Sequence, residues 1–313
     1  MPKRLLSVLA CGYILMFYSE HVFWAHVRPE DTLLGYIETW LLYSLLAFVF
    51  LAIIGHFRVR TIWALFLAGA VFGWLTEGVI VQTTYDSLPL SISFTALSWH
   101  ALLSVWIGWY AVRKAIQTSI GSTLKMAVII GIFYGLWAIA WWSEPDQTIA
   151  TPTEFALYTE ITTLLLIASY WLFDRNITDF QVGRRTKIIA AVLLLVYFGV
   201  VTIPAAPIAI IVLPMLLLIA YGALRRNAQH ENQPSLLADT TPARFKNYLA
   251  LLAMPLTALV IYTFAYSQQF EWHVNRLVYL VTMPLGFLLL AVSLVKVWRN
   301  ELRMLKGVSN EIS

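Results

Sequence analysis

The sequence predicts an all-α polytopic membrane protein, a bundle of about ten transmembrane helices. Hydrophobic residues make up 60% of the 313 residues and charged residues only 12%, whereas soluble domains carry about 25% charged residues. The mean hydropathy is +0.73. Ten separate runs are long enough to cross a bilayer, which takes roughly 20 apolar residues.

The first apolar run, Leu5 to Trp24, follows the basic start MPKR. It is longer than the roughly 7–15-residue core of a signal peptide, so we expect a retained first helix. The other spans follow from the same length criterion, and we predict them at 5–25, 32–55, 61–82, 89–112, 124–142, 153–173, 187–203, 206–224, 247–266 and 276–298.

The seventh and eighth spans meet at a proline-rich segment. Pro204, Pro207 and Pro214 would break or kink helices there, so the two spans form either a helical hairpin with a tight turn or one re-entrant feature. The polar segment that follows predicts a linker. The resulting division is a membrane bundle at 1–224, a cytoplasmic linker at 225–246, two further spans at 247–298 and a cytoplasmic tail at 299–313.

The basic residues between the spans predict the orientation of the chain. With the N-terminus in the cytoplasm, all of the 21 Lys and Arg residues except Arg28 and Arg276 lie at the cytoplasmic side. Cytoplasmic loops of membrane proteins carry such an excess of Lys and Arg. We therefore predict an integral protein of the plasma membrane with both termini inside. The net charge of +4 is explained by these loops and does not indicate binding to nucleic acid.

Several classes of site are excluded or receive no support. Cys11 is the single cysteine, so an intramolecular disulfide and a cysteine-based metal site are impossible. The sequence contains no phosphate-binding loop, nucleophile elbow or dinucleotide fingerprint. No span carries a Glu-x-x-His or His-x-x-x-His pair, so we predict no metal site and assign no cofactor. No connection is long enough to form a soluble catalytic domain.

Four glutamates within the predicted spans lie at one depth. Counting from the outer end of each span at 1.5 Å per residue places them about 8–10 Å below the outer surface. They are Glu20, Glu38, Glu77 and Glu160. His100 lies roughly 16 Å deep by the same count, and His21 and Asp86 lie towards the same side. Ionisable residues in a membrane are costly and usually face the bundle interior or a water-filled cavity.

The helical faces favour a site around Glu77 and His100. Gly73 precedes Glu77 by one turn, so Glu77 shares a face that another helix can approach closely. His100 belongs to a stripe of small and polar residues in the fourth span, comprising Ser93, Ala96, His100, Ser104 and Gly108.

These faces give candidate roles to nine residues. Glu77 and His100 are the candidate acid–base pair. Five other ionisable residues are candidate binding residues: Glu20, Glu38, Glu160, His21 and Asp86. Of these, the three glutamates would tune the protonation of the pair. Trp74 and Trp99 are candidate lining residues of an apolar cavity. The alternative for each of them is a role in helix packing.

Part of Phe72–His100 also resembles a known family. The order of Glu77-Gly78, Tyr85, Pro89 and Trp99 resembles membrane-bound carotenoid hydratases. This resemblance implies a long-chain isoprenoid substrate that a carboxylic acid protonates.

Three hypotheses for function remain at this point. The first is an enzyme or binding protein for a lipid-like or isoprenoid molecule at the outer leaflet. Its partners would be membrane lipid and a hydrophobic small molecule. The second is a proton- or cation-coupled transporter that uses the same glutamates. The third is a structural membrane subunit in which the polar residues only fix the packing of the helices.

Overall fold

The computed structural model describes residues 2–144, 149–177, 180–230, 234–238, 241–270 and 274–311, and the regular secondary structure in these ranges is helical throughout. Ten helices in them are long and apolar enough to cross a membrane. We number them α1 Lys3–Trp24, α2 Leu33–His56, α3 Ile62–Ile80, α4 Leu90–Thr118, α5 Ile120–Ser143, α6 Pro152–Asn176, α7 Arg184–Ala205, α8 Ala209–Gln229, α9 Phe245–Ser267 and α10 Asn275–Arg299.

The all-α class and the ten apolar helices are confirmed, and they are compatible with a multi-pass membrane protein. The proline-rich segment separates two helices, α7 and α8, and Pro214 lies inside α8.

Helical structure also extends into the segments that we predicted as the linker and the tail. The helix of α8 continues to His230, into the predicted linker, and that of α10 continues to Glu311, into the predicted tail. Residues 231–233, 239–240 and 312–313 of these segments lie outside the described ranges.

Four stretches of these helices are π-helical, at Phe17–His21, Thr76–Ile80, Ala96–Val112 and Phe198–Thr202. In a π-helix each N–H bonds to the carbonyl five residues earlier, and such stretches are rare and frequently occur at functional sites. Three of the four contain candidate site residues. Glu20 and His21 lie in the first, Glu77 in the second and His100 in the third.

The chain divides into two compact units. Unit 1 comprises residues 1–44, 107–176 and 241–280, and unit 2 comprises residues 45–106, 177–240 and 281–313. In unit 1, α1 packs against α6, and α5 packs against α9. Gly131 and Gly135 allow the second contact, because a Cβ atom at either position would press against α9 backbone at Met254 or Ala258. Small residues are what permit membrane helices to approach so closely.

In unit 2, α3 packs against α8, and the first half of α4 lies against α3. Gly73 faces Ala96 so closely that a Cβ atom would overlap the Ala96 carbonyl. The predicted stripe of α4 is buried, because Ser93, Ala96, His100 and Ser104 are all at most 3% exposed. This close contact of two helices brings Glu77 on α3 next to His100 on α4.

Candidate functional site

The Glu77 carboxylate is buried in unit 2 and accepts hydrogen bonds from three side chains. His100 Nε2 lies 2.7 Å from Oε1, and the Thr95 hydroxyl donates to the same oxygen at 2.5 Å. The Thr83 hydroxyl donates to Oε2. A buried carboxylate is tolerated only when it is hydrogen-bonded or paired. Glu77 fulfils that condition with an imidazole and two hydroxyls.

A buried aromatic ring contacts this pair, and two buried tryptophans belong to the same unit. The Phe72 ring meets the His100 ring edge to face, with centroids 5.7 Å apart. Trp74 is fully buried, and its indole N–H donates to the Ile92 carbonyl at 3.0 Å. Trp99 is also buried. The two tryptophans that we assigned to an apolar cavity therefore lie in the packed interior of unit 2, where Trp74 also ties α3 to α4.

The turn between α3 and α4 supplies Thr83, which the sequence did not single out. Asp86, the residue that we expected to approach Glu77 from this turn, is exposed, and Thr83 makes the contact instead. Tyr85 is partly buried in the same turn, and its hydroxyl donates to the Gly78 carbonyl at 2.7 Å. Burial raises the pKa of Tyr85 to about 12, so this phenol stays protonated at physiological pH.

Glu20 and His21 form a second polar cluster, in unit 1. Glu20 accepts hydrogen bonds from the Tyr43 hydroxyl at 2.6 Å and from the Trp24 indole at 3.2 Å. His21 is 4% exposed, and its Nδ1 lies 2.9 Å from the Tyr158 hydroxyl. These two neighbouring residues therefore bond to different helices, Glu20 to α2 and His21 to α6.

Glu38 and Glu160 also belong to unit 1, and their surroundings are different. Glu38 is exposed on α2, and Glu160 is half-buried on α6. Among the described residues of unit 1, no hydrogen bond joins Glu20, Glu38 and Glu160 to one another. Their equal predicted depth therefore does not bring these three carboxylates into one hydrogen-bonded group. Glu77 belongs to unit 2.

Unit 1 contains a groove of about 1070 Å³, bounded by α1, α2 and α6. Its apolar wall on α6 includes Leu157, Ile161, Leu165 and Leu172, and Ile37 and Trp40 face it from α2. The volume lies at the upper end of the roughly 300–1000 Å³ of small-molecule sites. Leu157 and Ile161 are more than half exposed, so the groove is open along its side.

The polar end of the groove lies in the connection between α1 and α2. The polar residues that line this end come from the connection and from the helices beside it. They are His21, His26, Arg28, Asp31, Tyr36 and Tyr158. A smaller cavity of about 220 Å³, which Glu20 and Glu30 also line, shares His21, Tyr36 and Tyr158 with the groove. The groove therefore combines a long apolar wall with one polar end, which is the pattern that an amphiphile requires.

Arg28 is held by two carboxylates at this polar end. Its Nη2 lies 2.8 Å from Asp31 Oδ1, and its Nε lies 3.6 Å from Glu30. Its guanidinium also stacks on Trp24. Partial burial acts to raise the pKa of Asp31, but hydrogen bonds from Arg28 and Tyr36 outweigh it and hold that pKa below its ordinary value. Burial acts to lower the pKa of Arg28, and its bonds to Asp31 raise it above its ordinary value.

The groove was not foreseen because its wall carries no unusual residue. Tyr158, Ile161, Leu165 and Leu172 recur at helical spacing and are chemically ordinary for a transmembrane helix. Tyr158 stands two residues from Glu160 and therefore lies on a different face of α6 from that candidate residue. The sequence signal that does exist is Arg28, one of the two basic residues that the predicted orientation leaves outside the cytoplasmic loops.

Within the described residues, no group of three or more His, Cys, Asp or Glu side chains could hold a metal ion. The polar sites of the two units are instead hydrogen-bonding sites. Comparisons with protein-family models, with curated proteins and with solved structures found no match to this chain. A function is therefore inferred from the geometry of the groove and of the Glu77–His100 pair.

Proposed function

We propose that this chain is a multi-pass protein of the cell membrane, with both termini in the cytoplasm, that binds a long-chain lipid-like molecule in the groove of unit 1. The observation that carries the proposal is the groove itself, which has an apolar wall along α6 and a polar end beside Arg28 and His21. The orientation rests on the distribution of Lys and Arg, and it places this polar end at the outer surface.

The length of the groove supports a long-chain occupant. Its lining on α6 runs from Glu154 to Leu172, which at 1.5 Å per residue corresponds to about 27 Å. The hydrocarbon core of a bilayer is about 30 Å thick, so one chain of an ordinary lipid spans only about half of it. A molecule that fills this groove has a chain of nearly the full membrane thickness, as a polyisoprenoid does.

The open side of the groove supports entry from the membrane. Leu157, Ile161 and Leu165 are each at least half exposed and line the groove at the same time. A lipid-like molecule can therefore reach them from the bilayer without crossing water. This feature favours a binding protein or enzyme for lipids over a transporter of a hydrated ion.

The Glu77–His100 pair supports a second candidate function, which is acid–base chemistry inside the membrane. A carboxylate and an imidazole that share a hydrogen bond of 2.7 Å can exchange a proton without rearrangement of the backbone. Such a pair suits a general acid acting on an isoprenoid, and it also suits a proton relay in a coupled transporter. The same hydrogen bonds would equally fix the packing of α3 against α4 in a structural subunit.

Identification of the bound molecule tests the first proposal. The protein is purified in mild detergent, and lipids extracted from it are compared by mass spectrometry with the lipids of the source membrane. We expect one class of long-chain molecule to be enriched in near-stoichiometric amount. Extraction of bulk phospholipid alone, in its membrane proportions, would count against the groove as a specific site.

A further inference from the structure

We propose that the polar end of the groove recognises an uncharged hydroxyl head group through His21 and Tyr158. This inference rests on the proposed function, because it assigns the head group of the molecule whose chain occupies the groove. It names an alcohol as the chemical class and excludes a phosphate, a carboxylate or an amine.

His21 is an open polar group of this region. It is 4% exposed and lines both the groove and the smaller cavity. Its Nδ1 is taken by the Tyr158 hydroxyl at 2.9 Å, and within the described ranges its Nε2 has no hydrogen-bond partner. This nitrogen is not among the fully buried polar atoms that lack a partner, so it is open to the cavity, where a ligand can bond to it.

A hydroxyl matches this nitrogen in either tautomer of the imidazole. If Tyr158 donates to Nδ1, then Nε2 carries the proton and donates; if Tyr158 accepts from Nδ1, then Nε2 accepts. A hydroxyl group is both a donor and an acceptor. It can therefore bond to Nε2 in both cases, whereas a protonated amine or a fully ionised phosphate can do so in only one.

The charges around the two cavities disfavour an anionic head group. Among the residues that the structure describes, the lining contains one cation, Arg28, and four carboxylates, which are Glu20, Glu30, Asp31 and Glu154. Arg28 is already bound by Asp31 and lies within 3.6 Å of Glu30. A phosphate or carboxylate head would therefore meet an excess of negative charge without a free cation to bind.

The carboxylates are also engaged, which disfavours a cationic head group. Glu20 accepts hydrogen bonds from Tyr43 and Trp24, and Asp31 accepts them from Arg28 and Tyr36. The backbone N–H and the hydroxyl of Thr151 both donate to Glu154. These hydrogen bonds weaken the attraction of the carboxylates for an amine, whereas a hydroxyl binds at His21 Nε2 and leaves them in place.

Four probes with one straight, long alkyl chain test the head group on the purified full-length protein. They carry a hydroxyl, a phosphate, an amine or no head group, and their affinities are measured by displacement of a fluorescent fatty alcohol. We expect the alcohol to bind about tenfold more tightly than the alkane, as one satisfied buried hydrogen bond implies. We expect the phosphate and the amine to bind no better than the alkane.

Two variants assign the preference to the His21–Tyr158 pair. His21→Phe should lose the tenfold advantage of the alcohol over the alkane, and Tyr158→Phe should reduce it, because the imidazole then lacks the hydroxyl that holds its Nδ1. Unfolding in detergent checks that both variants are folded. Tyr170→Phe is the matched control, since Tyr170 is a buried, hydrogen-bonded tyrosine of the same helix that does not line the groove. This control should keep the advantage of the alcohol.

The outcomes separate the two proposals. Tight binding of the phosphate or the amine, or an advantage of the alcohol that survives in both variants, would overturn the head-group inference and leave the groove in place. If even the alkane fails to bind, the groove itself is not a lipid site and the proposed function fails.

Discussion

Glu77 and His100, 23 residues apart in the chain, meet through a hydrogen bond of 2.7 Å between Oε1 and Nε2. The contact exists because Gly73, one turn before Glu77, lets α3 approach the Ala96 backbone of α4. The hydroxyl of Thr83, from the connecting turn, and that of Thr95, from α4, complete the surroundings of the carboxylate. The pair is thus built into the packing of unit 2, and its removal has consequences for stability as well as for chemistry.

Two replacements of Glu77 should show how much of its contribution to stability comes from its charge and how much from its hydrogen-bond acceptors. Glu77→Ala leaves the His100 N–H and two hydroxyls without an acceptor, and we expect a loss of about 3–5 kcal/mol. Glu77→Gln retains a carbonyl oxygen and should lose only about 1–2 kcal/mol. Unfolding in detergent measures both. Glu38→Gln, at an exposed position, is the control, and an equal loss in all three variants would contradict the assignment.

The buried ion pair of Arg113 and Asp174 should be essential to unit 1. Arg113 Nε lies 2.5 Å from Asp174 Oδ1, and the Tyr248 hydroxyl donates to the other carboxylate oxygen at 2.8 Å. Asp174→Ala removes the carboxylate of this buried ion pair, so we expect a loss of about 3–5 kcal/mol of unfolding free energy. The double variant Arg113→Met, Asp174→Leu removes both charges and should recover part of that loss. A double variant less stable than Asp174→Ala would disprove this account.

The connection between α1 and α2 should lose stability in acid. The pKa of Asp31 is held below its ordinary value in the folded protein. Its contribution to stability is therefore present above an ordinary Asp pKa of about 3.9 and is lost as the pH falls through the lower folded value. We expect the unfolding midpoint of Asp31→Asn to lie below that of the wild type at pH 7, and the difference to shrink below about pH 4. A difference that stays constant across this range would contradict the role of the charge.

The predicted orientation can be tested with single cysteines, because Cys11 is the only native one and is buried. In a Cys11→Ser background, Ser87→Cys lies at an exposed position of the α3–α4 turn, and Gly183→Cys lies at an exposed position before α7. A membrane-impermeant maleimide should label the first in intact cells and the second only after permeabilisation. The reverse labelling pattern would show that the chain has the opposite orientation in the membrane.

Hydropathy and face periodicity predict much of this structure because both signals are local in the sequence. An apolar run of bilayer length is visible without knowledge of its neighbours, and all ten such runs are helices. The spacing of Ser93, Ala96, His100 and Ser104 likewise predicts the buried face of α4. That helix is π-helical from Ala96, and four-residue steps remain aligned in its wider turn.

Lateral contacts were not predictable in the same way. Counting residues gives the depth of a side chain, but the rotation of its helix decides which neighbour it meets. Glu38 and Glu20 were assigned equal depth, yet Glu38 is exposed while Glu20 is bonded to Tyr43 and Trp24. The contact of Thr83 with Glu77 depends on the course of a turn, and the groove depends on the gap among three helices.

The most direct test of lipid binding in the groove compares two tryptophan substitutions on α6. Ile161 lines the groove, whereas Leu164 does not, although the two are almost equally exposed, at 55% and 52%. Bound long-chain lipid is quantified per protein for the wild type, Ile161→Trp and Leu164→Trp after identical purification. We predict that Ile161→Trp fills the groove and loses most of the bound lipid, while Leu164→Trp retains it. Equal lipid content in the two variants would contradict the proposed function.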